Sequence, residues 1–185
     1  MNRAKALLEG GRTERFHATP HHLPYSVAQH SWGMAALLEA FWPDAPARLL
    51  KACLFHDVAE RWTGDMPAPG KWWLCPEANA HLKAAEAQIT RQLQVDYERG
   101  LDGELTNWLK ALDLLELLLF CMDELHMGNM NVKQTVRTCR EHLLEKWVPQ
   151  EIQAFVTNLN WERCDDFAGH QSATDEGQKL GLGEV

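Results

Sequence analysis

The sequence lacks the excess of basic residues that a nucleic-acid-binding face usually needs. Its 18 Lys and Arg stand against 26 Asp and Glu, for a formal net charge of -8. A small anionic substrate is still compatible, because a few local cations and a metal can reverse the field inside a pocket. Paired cysteines are also missing. The five Cys (53, 75, 121, 139 and 164) form no C-x-x-C pair, and no signal-peptide pattern precedes them, so free thiols in a reducing cytoplasm are expected. Long apolar runs are absent: the longest, residues 114–122, is interrupted by Glu116 and too short to span a bilayer. No internal repeat, no Gly-rich phosphate loop and no sustained alternation of apolar and polar residues is present.

What remains is helical punctuation. The 185 residues, 45% hydrophobic and 24% charged, suit one domain with a substantial core. The spacing predicts a short helix over 2–9, stopped by Gly10-Gly11, and then a polar loop with Pro20 and Pro24. Ser26 and Gln29 have the form of a capping box opening a helix to about Phe41. Asp44, ahead of Pro46, reads as the N-cap of a helix reaching about Asp57. A second loop follows Thr63, and further helices are predicted over 77–97, 104–127, 131–146 and 149–159. The expectation is an all-α bundle of about six to seven helices over residues 1–163, with a flexible tail over 164–185. The eight Trp suit packing or a subunit interface.

Within this pattern, His30, His56-Asp57 and Asp113 lie on three separate helical segments, each on or beside an apolar stripe. Two imidazoles and two carboxylates suffice to hold a divalent cation while leaving positions open, and an open position can turn water into a nucleophile at neutral pH. Gathering such groups around a cation also removes the desolvation problem that each would face alone. The alternatives are plain ones. A single helical histidine is more often a satisfied core residue than a ligand, His-Asp dipeptides are common, and Asp113 has Lys110 one turn before it as an ordinary partner.

These residues resemble the signature of the HD-domain metal-dependent phosphohydrolases, His … His-Asp … Asp. The similarity is to the subgroup of bacterial 5′-deoxynucleotidases and phage deoxyadenosine triphosphate triphosphohydrolases. It is carried by Arg15-Phe16-His17, by residues 26–31, by the block from His56 to Lys71, and by Asp113 with Glu124 and Gly128-Asn129. The resemblance implies that His30, His56, Asp57 and Asp113 bind a catalytic metal and that Glu60 handles the proton of the attacking water or leaving group. It further implies that Arg15 and Lys71 contact phosphate. Phe16 matches an aromatic position against the sugar, where a bulky ring excludes a 2′-hydroxyl. His17 and Asp65 are placed at the same sugar and base pocket, whereas Glu124 matches a position that stabilises helix packing.

The expected activity is hydrolysis of 2′-deoxynucleotides at the 5′ phosphate end. The Ser31-Trp32-Gly33 variant and the compact size favour a triphosphohydrolase acting on deoxyadenosine triphosphate. The alternatives are a 5′-deoxynucleotidase acting on monophosphates and a non-catalytic module with a structural metal. Mixed His and carboxylate ligation suits Zn, Mn or Co, with Mg better suited to substrate phosphates as a second ion. The resemblance implies a homo-oligomer, a dimer or hexamer; the acidic balance and the lack of a long apolar run point to no nucleic-acid or membrane partner.

Overall fold

The computed structural model describes residues 2–67 and 76–161. Over these residues the protein is all-α, and its only sheet-like pairing is an isolated antiparallel bridge between Glu14 and Ser26. Helix α1 (Arg3–Gly10) opens on Asn2, whose side chain accepts from the Lys5 N–H. Helix α2 (Val27–Phe41) begins with the expected reciprocal capping box of Ser26 and Gln29. Its first turn also reaches back to the preceding loop. The Val27 N–H donates to the Thr13 carbonyl at 2.9 Å and the Ala28 N–H to Gly11 at 3.0 Å, while the Arg15 N–H donates to Tyr25 at 2.9 Å. Donors that a helix start normally leaves unpaired therefore fasten the 11–26 loop along α2 and carry Arg15 with it.

Helix α3 (Ala47–Phe55) differs from expectation at its start. Pro46, not Asp44, takes the N-cap position, and no side chain caps it; the fixed φ of proline starts the helix instead. After Phe55 the chain turns through His56–Ala59 into α4 (Glu60–Thr63), a single helical turn closed by Gly64 at φ 76°. That left-handed conformation favours glycine. Helix α5 (Pro76–Gln92) stops short of the expected residue 97. The chain reverses at Gln94, which has φ 57°, so that Leu93 and Val95 join Ala6 and Val58 in a small second core.

The long helix α6 (Gly103–His126) is capped by Asp102, which accepts from the Leu105 N–H at 2.9 Å. A 3-10 turn (Met130–Val132) leads to α7 (Lys133–Leu143), and α8 (Gln150–Thr157) follows. The described residues thus hold seven helices of at least eight residues and the one-turn α4. Helix α6 is the spine and packs on α2, α3 and α7. Met34 and Leu38 of α2, Leu49 and Cys53 of α3, Leu112, Leu115 and Leu118 of α6, and Val136 and Leu143 of α7 are buried around it. Burying each such side chain contributes about 1.5–3 kcal/mol.

Cys53, Cys121 and Cys139 are buried free thiols, as expected. Trp108 and Trp161 serve the core, while Trp32 is 71% exposed. Among the described residues no helix is long and apolar enough to cross a membrane. Lys71, Cys75, Cys164 and the expected flexible tail over 164–185 lie outside the described residues.

Candidate metal centre

Helices α2, α3 and α6 meet where their polar side chains would otherwise be stranded in the core. His30 stands one turn into α2 and is fully buried. His56 occupies the C-cap of α3, with Asp57 in the turn that follows. Asp113 comes from the middle of α6, one turn after Leu109 and next to Leu112, both of them buried. The candidate donor atoms of His30, His56 and Asp113 all lie within 4.8 Å of one another. His30 Nε2 is 3.1 Å from Asp113 Oδ1 and 3.8 Å from Asp57 Oδ2, and His56 Nε2 is 3.1 Å from the same Asp57 oxygen. The two imidazole rings sit edge to face, 5.3 Å apart.

Both Nε2 atoms are buried and make no hydrogen bond of good geometry. Stranding a buried polar atom in this way costs free energy unless something else satisfies it. Two imidazole nitrogens and the Asp113 carboxylate within 4.8 Å of one another, with Asp57 beside them and paired to Arg15, form a donor set for a borderline divalent cation. The residues present therefore fit a metal, and the pairing of Asp113 with Lys110 is not what the fold uses.

Electrostatics follow from the crowding. Burial alone would raise the Asp57 carboxyl, but His56, Arg15 and His30 outweigh it and hold the group far below the usual range. Burial would likewise raise the Asp113 carboxyl, but His30, 3.1 Å away, and the Arg15 guanidinium outweigh it and hold the group at about 2. Burial would depress the His56 imidazole, yet the adjacent Asp57 carboxylate lifts it to about 9. These are the signs expected of opposite charges packed out of water.

Arg15 closes the cluster from the loop. Its guanidinium pairs with Asp57, lies 3.6 Å from Asp113, and reaches Glu60 at 4.0 Å. Burial disfavours its charge, but these carboxylates more than restore it. Glu60, the first residue of α4, is buried beside them. Arg15, Asp57, Glu60 and Asp113 therefore stand in one cluster with the two histidines.

The other expected residues lie next to the cluster. The Phe16 N–H donates to Asp65 Oδ2 at 2.8 Å, so Asp65 holds the turn after Arg15, where Phe16 adopts φ 57°. The Phe16 ring meets Phe120 edge to face at 6.3 Å. His17 is half exposed, 4.0 Å from Asp65.

Two residues escaped the sequence reading. Glu116 accepts from His30 Nδ1 at 2.5 Å, and the Tyr25 hydroxyl donates to the same Glu116 oxygen at 2.5 Å. In sequence Glu116 is only an interruption of an apolar run; its spacing of three residues after Asp113 is the signal that could have marked it. Glu124 also does more than pack. Fully buried, it accepts from the backbone N–H groups of His22 and Leu23 and from the Asn129 side chain, and so ties the loop to the end of α6.

The chain is 31% identical over 155 residues to a 5′-deoxynucleotidase of Photobacterium profundum, covering 76% of this chain and 80% of that protein. It is 26% identical over 157 residues to a 5′-deoxynucleotidase of Pasteurella multocida, covering 77% and 79%. Its fold matches a cyanophage S-2L HD phosphohydrolase (DatZ), solved with dA and one catalytic Zn2+ ion, at a TM-score of 0.65. That match has 22% identity and covers 85% of this chain and 93% of the phage protein. A Pyrococcus horikoshii protein matches with the same score at 18% identity, covering 84% and 95%. The sequence profile of the 5′-deoxynucleotidase YfbR-like family spans residues 12–161, from the loop that carries Arg15 to the end of the described fold. The chain is an HD-domain phosphohydrolase and belongs to the YfbR-like 5′-deoxynucleotidase family.

Proposed function

We propose that this protein is a divalent-metal-dependent 5′-deoxynucleotidase, releasing orthophosphate from 2′-deoxynucleoside 5′-monophosphates. The observation that carries the proposal is the convergence of His30, His56 and Asp113 within 4.8 Å, with Arg15 and Glu60 against them. A purely structural metal site has no reason to add a buried acid and a guanidinium. The names of the relatives at 25–31% identity support the monophosphate reading over the triphosphohydrolase first favoured from Ser31-Trp32-Gly33 and the chain's size.

In this reading His30, His56, Asp57 and Asp113 hold the ion. When bound, such an ion supplies a Lewis acid that screens phosphate charge and acidifies water. Glu60 takes a proton from the water that attacks phosphorus and delivers one to the departing 5′ oxygen as the P–O bond breaks. Arg15, and Lys71 by the family pattern, neutralise the charge of the phosphate oxygens. Phe16 packs against the sugar, with Asp65 and His17 at the same pocket. The expected dimer or hexamer belongs to the proposal too, with exposed Trp32 as apolar surface for it.

A panel of deoxynucleoside mono- and triphosphates, assayed with Zn, Mn or Co and with the phosphorus product identified, tests the proposal. Orthophosphate from the monophosphates is expected. Release of triphosphate, with monophosphates inert, would restore the triphosphohydrolase, and no turnover of either class would leave the non-catalytic module.

A further inference from the structure

We propose that Glu116, anchored by Tyr25 and accommodated by Gly33, is the positioning residue that fixes His30 for metal binding. The proposal rests on the reading of His30 as a ligand. Helices α2 and α6 cross so that two layers form one above the other. His30 and Asp113 face each other in the first layer. One turn further along each helix, Gly33 and Glu116 face each other in the second. A single oxygen of Glu116, Oε2, lies 2.5 Å from His30 Nδ1 and 2.5 Å from the Tyr25 hydroxyl, and the hydroxyl is itself 3.3 Å from His30 Nδ1.

Two features make this arrangement specific. A carboxylate accepting at Nδ1 keeps the imidazole proton there, so Nε2 is the nitrogen presented to Asp113 and Asp57. The Tyr25 ring is buried and stacks on Phe120 at 3.9 Å, with the planes 9° apart, which fixes the hydroxyl that holds Glu116 in turn. The space for the carboxylate exists because residue 33 has no side chain. A Cβ at Gly33 would stand 2.7 Å from Glu116 Cγ and 2.9 Å from Oε1. The glycine is thus a seat for the Glu116 side chain, inside a helix where glycine is otherwise unfavourable.

The test is the affinity for Zn2+, measured by chelator competition on the full-length protein, with thermal unfolding of the metal-free form followed in parallel. Glu116→Ala is expected to weaken Zn2+ binding by about 10–100-fold, the range seen when such outer partners are removed. Glu116→Gln, which keeps an acceptor for Nδ1–H, should recover most of the loss. Gly33→Ala leaves every donor in place and adds a good helix former, yet its methyl displaces Glu116. It should weaken Zn2+ binding in a protein that still unfolds cooperatively without metal, and it carries the test if Glu116→Ala does not fold. Wild-type affinity in Gly33→Ala, or in a folded Glu116→Ala, would overturn the positioning role while leaving the metal site intact. Failure of the wild type to bind Zn2+, or unchanged binding in His30→Ala, would instead overturn the metal reading and this inference together.

Discussion

At the scale of single residues, the centre separates groups that hold a cation from groups that act on substrate. Glu60 touches Arg15 but is absent from the three residues whose donor atoms cluster most tightly. Replacing it by Ala should therefore leave metal content near that of the wild type while lowering kcat by about 10²–10⁴-fold, the usual contribution of a positioned acid or base. Metal analysis beside steady-state kinetics checks this, and unchanged turnover would remove Glu60 from the mechanism. Arg15 has a different signature. Its guanidinium already neutralises Asp57 and Asp113, so Arg15→Ala should raise KM for the nucleotide through loss of a phosphate contact. An unchanged KM would place the guanidinium in purely structural service.

At the scale of elements, α6 supplies both the floor of the site and the anchor for the loop in front of it. Glu124 does the anchoring, and burial alone would raise its carboxyl. The Asn129 hydrogen bond and the N–H groups of Leu23 and His22 outweigh burial and hold it at about 2. Because the folded value lies below the ordinary 4.5, this stabilisation is complete at neutral pH. It fades as the pH falls from about 4.5 toward 2. Glu124→Ala would leave several buried donors unpaired and should cost about 2–3 kcal/mol at pH 7. It should also flatten the acid limb of the stability profile, as measured by denaturant unfolding from pH 7 down to pH 3. An acid limb identical to that of the wild type would contradict this role.

The same helices show what could be read from sequence and what could not. The capping box at Ser26, the stop at Gly10-Gly11 and the Leu-rich spine were legible because each rests on a local rule. Asp44 misled because Pro46 starts α3 by its own fixed φ, without a side-chain cap. The end of α5 was overestimated because tertiary burial of Leu93 and Val95 draws the chain inward through Gln94. The His30, His56 and Asp113 trio was visible as residue types near apolar stripes. Glu116 was hidden because its partner lies 86 positions away, and its spacing from Asp113 becomes a signal only once Asp113 is known to face the site. The pairing of Glu124 with the loop was hidden for the same reason.

At the scale of the whole molecule, the proposed ion joins α2, α3 and α6 at one point and should stabilise the fold as well as the chemistry. Zn2+ at about one hundred times its Kd would add about 2.7 kcal/mol, or roughly 5–10 °C in Tm for a chain of this size. A chelator should reverse the gain, and a Tm indifferent to both would mean that the ion does not bridge these helices. The most direct measurement is anomalous diffraction from metal-loaded crystals at the absorption edge of the ion. One strong peak is expected within about 2.0–2.2 Å of His30 Nε2, His56 Nε2 and an Asp113 oxygen. A peak lying elsewhere, with these three side chains unliganded, would contradict it.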